Sequence, residues 1–344
     1  MTQDDIITHR EGAIGRITLN RPRALNALTE DMCAAMLTQL RQWAVDPAVH
    51  AVVTDAVPGK AFCAGGDIRA VYDAGKRADG SVMSFFRTEY PLNAAIRHLP
   101  KPYIALIDGF AFGGGCGASI HGSYRVASEN AVFSMPETAI GLFPDIGATY
   151  FLNQLPGEIG KYLALTGVRI SAADALYCGL ATHFVPARDH AQVLSRLAQG
   201  EKADLVLAAF GGKPSGVSAL AKHRDAIDRA FSASTVEDVL DRLALEGDWG
   251  NETASTLRSR SPTSLKVTFR QMREGAALDF ESCQLMEFRI MTRMMDGQDF
   301  YEGVRAALID KDQSPRWQPP LLHMVSEAEI ERYFAPLDDG EFTL

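Results

Sequence analysis

The feature that most constrains this chain is a hydrophobic run that leads into three consecutive glycines. Ile104 to Ile107 form the run, Gly113 to Gly115 follow it, and the small residues Cys116 to Ile120 then favour a helix. A strand, a glycine turn and a helix in this order leave backbone N–H groups at the start of the helix, where they can bind a negatively charged oxygen. The same glycines are also typical of close helix–strand packing, so the pattern alone leaves both interpretations open.

A second glycine-rich segment follows another predicted strand in the same way. His50 to Thr54 form that strand, and the segment Gly59 to Ile68 reads GKAFCAGGDI. Two strand–glycine–helix junctions could each supply one backbone N–H to a shared oxyanion. The pair of junctions therefore favours a site that stabilises negative charge on a carbonyl oxygen.

Two carboxylates come after the three glycines, in turn-like and mostly apolar sequence. Glu137 ends the sequence MPE, and Asp145 ends the sequence FPD. Carboxylates in apolar surroundings are suited to proton transfer or hydrolysis. Each also has a structural alternative, because carboxylates close turns and cap helices. For Asp145 the alternative is an N-cap, since Ile146 to Tyr150 is a predicted helix start.

Composition and charge exclude several classes of protein. The chain has 344 residues, of which 47% are hydrophobic and 22% charged, as in an ordinary globular protein. Its net charge is −9, whereas a protein that binds nucleic acid needs a broad basic face. No apolar run in the sequence is long enough to cross a bilayer. We therefore expect neither a nucleic acid nor a membrane as partner.

Cysteine usage and the N-terminal sequence bear on the cellular compartment. The five cysteines are scattered, with neither a CxxC pair nor metal-ligand spacing; they are Cys33, Cys63, Cys116, Cys178 and Cys283. This pattern predicts reduced thiols and no metal site. The sequence MTQDDIITHR is acidic and has the features of neither a secretory signal nor a transit peptide. We therefore expect a cytoplasmic protein.

The first part of the chain alternates between strands and helices. Strands are predicted at Ala13 to Leu19, His50 to Thr54, Ile104 to Ile107, Tyr124 to Ala127 and Ala131 to Phe133. Helices are predicted at Thr29 to about Trp43 and at Ile68 to Ala74. A further helix with Phe85 and Ile96 is expected to be broken or kinked at Pro91, after a mobile loop at Gly75 to Gly80. This rhythm indicates an α/β architecture.

From Pro156 onward the pattern becomes helical. Ser171 and Ser261 are predicted N-caps in this part, and Ser171 is predicted to form a capping box with Asp174. Thr29 is a predicted N-cap in the first part of the chain. The sequence GGKPSG at 211–216 is the best candidate for a linker. We therefore predict an α/β core over residues 1–210 and a mainly helical C-terminal region over residues 211–344 that packs on the core.

Taken together, the motifs resemble the crotonase (enoyl-CoA hydratase/isomerase) superfamily. KAFCAGGDI and GFAFGGGCG match its two glycine segments, and MPETAIGLFPDIG matches the sequence that follows them. The resemblance implies a ββα spiral core that binds acyl-CoA thioesters, without a metal or a separate cofactor because CoA is part of the substrate. It assigns the two N–H donors for the thioester carbonyl to Gly66 and Gly114. It assigns CoA binding to Lys60, Ala61, Ala64, Gly66 and Ile68.

Further segments along nearly the whole chain are similar to one branch of this superfamily, the 3-hydroxyisobutyryl-CoA hydrolases. They include FFRTEYPLN, IHGSYRVAS and DFYEGVRAALIDKDQSPRWQPP, and they extend into a C-terminal third that ordinary hydratases lack. Four positions contact the substrate in this branch, and they correspond to Glu89, Gly114, Glu137 and Asp145. The resemblance implies release of CoA from 3-hydroxyisobutyryl-CoA or 3-hydroxypropionyl-CoA, a step of valine catabolism. Relatives often form trimers or hexamers, so a homo-oligomer is expected.

One departure from the hydratase pattern bears on the type of reaction. Hydratases use two glutamates, and the first comes directly after the sequence GGGC; this chain has Gly117 there. The second corresponds to Glu137, whereas Asp145 stands where hydratases usually have glycine. The resemblance therefore favours thioester hydrolysis, with Glu137 as nucleophile or general base and with Asp145 and Glu89 on the 3-hydroxyl group. An enoyl-CoA hydratase or isomerase and a non-catalytic acyl-CoA-binding protein are the alternatives.

Overall fold

The computed structural model describes residues 5–77, 80–338 and 340–343. The chain divides into two compact units, and each unit is assembled from three separate segments. The first unit comprises Met1–Asp67, Thr88–Ser134 and Arg169–Lys222. The second comprises Ile68–Arg87, Met135–Val168 and His223–Leu344. The sequence pattern instead predicts a core over residues 1–210 and a helical region over residues 211–344, and this division stays a prediction.

All strands of the described residues belong to the first unit. They are β1 Ile6–Glu11, β2 Ile14–Leu19, β3 Ala51–Ala56, β4 Ala61–Cys63, β5 Tyr103–Ile107, β6 Phe110–Phe112, β7 Tyr124–Ala127, β8 Val132–Ser134, β9 Ile170–Ser171 and β10 His183–Phe184. Six of them form one sheet in the order β1-β2-β3-β5-β7-β10, which is parallel except for the β1–β2 pair. The other four form a sheet in the order β4-β6-β8-β9, in which β8 and β9 are antiparallel.

The helices occur in both units. They are α1 Glu30–Val45, α2 Ile68–Arg77, α3 Ser84–Arg97, α4 Gly114–Ile120, α5 Ala148–Asn153, α6 Ile159–Thr166, α7 Ala172–Cys178, α8 His190–Ala198, α9 Ala203–Phe210, α10 Ala219–Phe231, α11 Val236–Leu243, α12 Gly247–Arg258, α13 Pro262–Gly275, α14 Phe280–Met295, α15 Asp299–Val304 and α16 Glu327–Phe334. Within the described part of the chain, no helix is both long enough and apolar enough to span a bilayer.

The larger sheet has a core on the side of α8 and α9. Its members are buried aliphatic side chains, among them Ile14, Val53, Ile104, Leu106, Val126, Val193, Leu197, Val206 and Leu207. Burial of one such side chain contributes about 1.5–3 kcal/mol, so many of them hold the strands firmly in place. β3 and β5 are buried along nearly their whole length, as expected for the interior strands of a parallel sheet. Each of these two strands is followed by a short strand of the smaller sheet, β4 after β3 and β6 after β5, and the glycines come after these short strands.

Three helix starts confirm the capping patterns in the sequence. The Thr29 hydroxyl accepts a hydrogen bond from the N–H of Met32 at the start of α1. Ser171 and Asp174 form the predicted capping box of α7. Ser261 caps α13, which has a proline at its first position. Local side-chain chemistry thus determines where these helices begin.

The prediction of a helix broken at Pro91 is wrong, whereas the alternative of a kink there stays a prediction. α3 continues from Ser84 to Arg97, and Pro91 lies inside it. The neighbours of this proline, Tyr90 and Leu92, are fully buried. Apolar packing of this kind offsets the hydrogen bond that a proline removes from a helix.

The predicted loop at Gly75 to Gly80 is wrong at its start, because α2 extends to Arg77. Gly75 lies in this helix where it contacts Tyr301, and a Cβ at Gly75 would collide with the Tyr301 hydroxyl. The glycine therefore serves close packing of α2 within the second unit, not a turn. Residues 78 and 79 of the predicted loop lie outside the described residues.

Candidate active site

The two glycine segments meet in the first unit. β4 and β6 pair in parallel, so the segments that follow them start side by side. A Cβ at Gly114 would lie 3.0 Å from the N atom of Gly66 and 2.5 Å from Oε1 of Glu89. Three predicted site residues are therefore neighbours, and the spacing leaves no room for a side chain at Gly114.

The N–H groups of Gly66 and Gly114 are not used by the regular structure around them. Gly114 is the first residue of α4, so its N–H has no acceptor within the helix. Gly66 forms a parallel bridge with Leu28 in which Leu28 donates to the Gly65 carbonyl and Asp67 donates to the Leu28 carbonyl. The bridge therefore uses the carbonyl of Gly65 and the N–H of Asp67, but not the N–H of Gly66. Two neighbouring backbone donors of this kind are what an oxyanion site requires.

The turn into α4 depends on the backbone freedom of glycine. Gly113, the residue before the helix, has a φ of 46° and a ψ of −119°. Residues with a side chain rarely adopt this conformation. The run of glycines thus serves two purposes, a turn at Gly113 and a close approach at Gly114.

Glu89 is 2% exposed, so the solvent-facing orientation that is usual for glutamate is excluded. Two thiols lie near enough to interact with it. Burial, with a smaller effect of the Glu89 charge, raises the pKa of Cys33 and raises the pKa of Cys63 to about 12. Both thiols are therefore protonated at neutral pH and are not suited to act as nucleophiles.

Glu137 and Asp145 interact with each other in the second unit. Glu137 opens a 3-10 turn at Glu137–Ile140 and is buried. Its Oε2 atom has no hydrogen-bond partner among the described residues. Burial, and then the negative charge of Asp145, raises the pKa of Glu137 well above its usual value. A buried carboxyl whose pKa is raised by burial and by a neighbouring acid is a candidate for a functional residue.

The N-cap alternative for Asp145 is wrong. α5 begins at Ala148, and its N-cap residue is Gly147, whose φ is 81°. The N–H groups of Gly147 and Thr149 donate to the carboxyl group of Glu287, at 2.7 and 2.9 Å. The backbone changes direction after Asp145, before the helix starts, so a different acid caps this helix.

Glu287 was missed by reasoning from the sequence. It is fully buried in α14, and burial, with a further contribution from the charge of Asp145, raises its pKa to about 8. No spacing rule connects it with a helix that starts about 140 residues earlier. The one signal available is a glutamate between Met286 and Phe288, inside an apolar helical pattern.

The positions assigned to CoA binding differ in their exposure. Lys60 is exposed directly before β4, Ala64 and Ile68 are half-buried, and Ala61 is buried. The Lys60 carbonyl accepts a hydrogen bond from the N–H of Phe110, which fixes the backbone at this point. Their assignment to CoA stays a prediction.

Known proteins are similar to this chain over nearly its full length. The family model described as enoyl-CoA hydratase/isomerase matches residues 14–334. A protein named "3-hydroxyisobutyryl-CoA hydrolase, mitochondrial" from Xenopus tropicalis is 48% identical over 97% of this chain and 90% of its own length. The Homo sapiens protein of the same name is 42% identical over 98% of this chain and 90% of its own length. A solved structure, described as a carnitinyl-CoA dehydratase from Mycobacterium thermoresistibile, has a TM-score of 0.93 and 38% identity, with 98% of both chains covered.

The predicted cytoplasmic location is wrong, because the curated relatives are named mitochondrial. The five cysteines are free and buried in the structure, which confirms the prediction of reduced thiols. Free thiols indicate a reducing environment but do not identify the compartment that provides it.

The comparisons also settle the fold. The family match and the similarity to a solved structure confirm the predicted crotonase-like α/β fold with many helices in its C-terminal part. The residues matched by the family model include both glycine segments, Glu137, Asp145 and Glu287. The chain belongs to the enoyl-CoA hydratase/isomerase family, the crotonase superfamily.

Proposed function

We propose that this protein is a thioester hydrolase that releases CoA from 3-hydroxyisobutyryl-CoA or 3-hydroxypropionyl-CoA. The observation that carries the proposal is the set of acids: a buried pair, Glu137 and Asp145, with a glycine at position 117. Hydration of a C=C bond needs a second acid or base where Gly117 has no side chain. Relatives that are 48% and 42% identical and carry the name of this hydrolase support the proposal. The reaction belongs to valine catabolism.

Gly66 and Gly114 are the proposed donors to the thioester carbonyl oxygen. When a nucleophile adds to the carbonyl carbon, this oxygen becomes negatively charged. Two backbone N–H groups that are already in place stabilise the charge without reorganisation. Loss of one such donor typically costs about 3–4 kcal/mol of transition-state stabilisation.

Glu137 is the proposed nucleophile or general base. As a nucleophile, its carboxylate adds to the thioester carbon, the C–S bond breaks as the oxyanion collapses, and water then hydrolyses the resulting anhydride. As a general base, it takes a proton from the water that attacks. CoA leaves as a thiolate in both routes, which is favourable because the pKa of a thiol is about 8.5. The raised pKa of Glu137 makes its ionised form a stronger base and nucleophile than an exposed glutamate.

Asp145 is the proposed acceptor for the 3-hydroxyl group of the substrate. A charged acceptor forms a stronger hydrogen bond than a neutral one, so it would favour substrates that carry the hydroxyl. The resemblance assigns the same role to Glu89. Lys60, Ala61, Ala64, Gly66 and Ile68 are the positions proposed for CoA. We also propose a homo-oligomer, as is typical of the family.

Release of free thiol from a panel of acyl-CoA thioesters tests the proposal. We expect free CoA from 3-hydroxyisobutyryl-CoA and little or no hydration of crotonyl-CoA. Loss of the enoyl absorbance without thiol release would instead identify a hydratase, an activity close to that named for the similar solved structure. Binding of acyl-CoA without either reaction would identify a non-catalytic binding protein.

A further inference from the structure

The backbone that follows Asp145 has an uncommon conformation. Ile146 has a φ of 58° and Gly147 a φ of 81°, so two consecutive residues lie in the left-handed region. For a β-branched residue such as Ile146 this conformation costs about 1–3 kcal/mol. Such a turn persists only where the surrounding structure imposes it.

Glu287 holds the turn on its C-terminal side. Its Oε2 accepts from the N–H of Gly147 at 2.7 Å, and its Oε1 accepts from the N–H of Thr149 at 2.9 Å. These N–H groups belong to the start of α5 and have no acceptors within the helix. One fully buried carboxyl group therefore satisfies both of them and fixes the direction in which α5 leaves the turn.

Gln271 of α13 holds the same turn from its N-terminal side. Its Nε2 donates to the Pro144 carbonyl and to the Thr149 hydroxyl, both at 2.6 Å. Gly275 lies one turn further along α13, where a Cβ would collide with the Thr149 methyl group. The helix is thus in direct contact with α5, and the backbone is held both before and after Asp145.

The two N–H groups account for the choice of glutamate over glutamine at this position. Glu287 lies near Asp145, whose charge adds to the effect of burial in raising the pKa of Glu287 to about 8. Placing a second buried carboxyl there is unfavourable unless both of its oxygens are needed as acceptors. A glutamine has only one acceptor oxygen, and its NH₂ group would face a backbone donor.

We infer that Glu287 and Gln271 are positioning residues that fix the turn carrying Asp145 and thereby set the preference for acyl groups with a 3-hydroxyl. The inference rests on the proposed function for its substrate. It explains how helices α13 and α14 contribute to specificity through the backbone on either side of Asp145, without contact with the substrate. The conformation of the turn, not the identity of Asp145 alone, determines where the acceptor lies.

The central test is Glu287→Gln, in which one of the two N–H groups loses its acceptor. We expect kcat/KM for 3-hydroxyisobutyryl-CoA to fall roughly tenfold more than kcat/KM for isobutyryl-CoA, which lacks the hydroxyl. Amide hydrogen exchange should become faster in the segment 145–150. Equal losses on both substrates, or unchanged exchange in this segment, would overturn the inference.

Two further variants separate positioning from charge and from general destabilisation. Gln271→Met loosens the same turn without removing a charge, and it should give the same preferential loss. Asp174→Asn is the matched control: Asp174 is a buried acid of the first unit that accepts from the N–H groups of Ser171 and Leu220. It should lower stability and leave the ratio of the two substrates unchanged. A ratio that changes equally in all three variants would show that destabilisation alone is responsible.

A binding measurement distinguishes failure of this inference from failure of the proposed function. Glu137→Gln enzyme, which is expected to bind without turnover, is titrated with 3-hydroxyisobutyryl-CoA and isobutyryl-CoA by calorimetry. Adding Glu287→Gln should reduce the affinity ratio of the two ligands by roughly tenfold. If the parent enzyme releases no CoA, the proposed function fails, while the affinity ratio and the exchange rates still decide the role of Glu287. An unchanged affinity ratio overturns the inference whatever the parent does.

Discussion

The glycine junction of the first unit and the carboxylate turn of the second unit are built in different ways. The junction is made by segments that directly follow strands, and its close approach at Gly114 needs only a missing side chain. The turn at Asp145 depends on Glu287 and Gln271, which lie more than 120 residues away in sequence. A site element formed by local backbone geometry is visible in a sequence motif, whereas one held by distant side chains is not.

The largest expected loss of activity comes from substitution of Glu137. Glu137→Gln keeps the shape of the side chain but removes the nucleophile or base, so kcat should fall by at least about 100-fold. The affinity for substrate should change little, because Gly66 and Gly114 are untouched. Single-turnover hydrolysis in ¹⁸O-labelled water distinguishes the two routes, since label in Glu137 indicates the anhydride.

Glu158→Gln provides the control for this variant. Glu158 also lies in the second unit, where it forms an ion pair with Lys161 at 2.7 Å. Its substitution should leave turnover unchanged. If Glu137→Gln retained turnover within a few-fold of the parent, Glu137 would be a structural residue.

The glycine junction is tested by Gly114→Ala. The added Cβ would meet Oε1 of Glu89 and the N atom of Gly66, so it should displace at least one of the proposed donors. We expect a loss of roughly 100-fold or more in kcat, as for removal of one oxyanion donor. Circular dichroism and the unfolding midpoint show whether the fold is retained.

Gly59→Ala is the matched control in the second glycine segment, because its Cβ would make only ordinary contacts, at 3.7 Å and beyond. It should retain the activity of the parent. Equal activity of Gly114→Ala and Gly59→Ala would show that the close approach at Gly114 has no part in the reaction.

The sequence predicted those parts of the molecule that local chemistry determines. The caps at Thr29, Ser171 and Ser261 and the strands β3 and β5 follow from residues within a few positions of one another. Tertiary packing decided the rest. Burial of the neighbouring side chains carries α3 through Pro91, and contact with Tyr301 keeps Gly75 in a helix.

The same distinction applies to the site. The resemblance to the superfamily named Gly66 and Gly114 as a pair, and the structure places them together. The cap of α5 could not be assigned, because its acid comes from a helix far along the chain. A buried glutamate in an apolar helix is a signal of importance, but its partner is known only from the fold.

A third prediction concerns stability against pH. The pKa of Glu287 is raised from 4.5 to about 8, so the folded protein keeps a proton that the unfolded chain has released between these values. The resulting stabilisation is complete below about pH 4.5 and is lost as pH rises through about 8. We expect the stability of the parent relative to Glu287→Gln to fall with rising pH, by at most about 1.4 kcal/mol per pH unit.

Urea unfolding of both proteins from pH 5 to 8 measures this difference. Asp174→Asn is the control. Burial by itself would raise the pKa of Asp174, but its hydrogen bonds together lower it, so its contribution to stability is lost only as the solution becomes strongly acidic. Its difference from the parent should be constant over the same pH range. A pH-independent difference for Glu287→Gln as well would mean that the Glu287 carboxyl has the same charge throughout.

The smallest expected effect concerns Asp145. Asp145→Asn keeps the size of the side chain, and the cap of α5 is supplied by Glu287, so stability should change little. The neutral amide is a weaker acceptor for a hydroxyl, because a hydrogen bond to a charged group contributes about 1.5–3 kcal/mol against roughly 1 kcal/mol for a neutral one. We therefore expect roughly a tenfold loss with 3-hydroxyisobutyryl-CoA and little further loss with isobutyryl-CoA.

The double variant Asp145→Asn/Glu287→Gln connects this effect with the turn. If Glu287 acts through Asp145, the two losses in substrate preference should not add, because either change removes the same contact. Additive losses would mean that the two acids act independently. The position of Asp145 would then depend on the local backbone, as the position of Gly114 does, and not on Glu287. If Asp145→Asn alone lowered kcat/KM equally for both substrates, Asp145 would either position the attacking water or stabilise the fold.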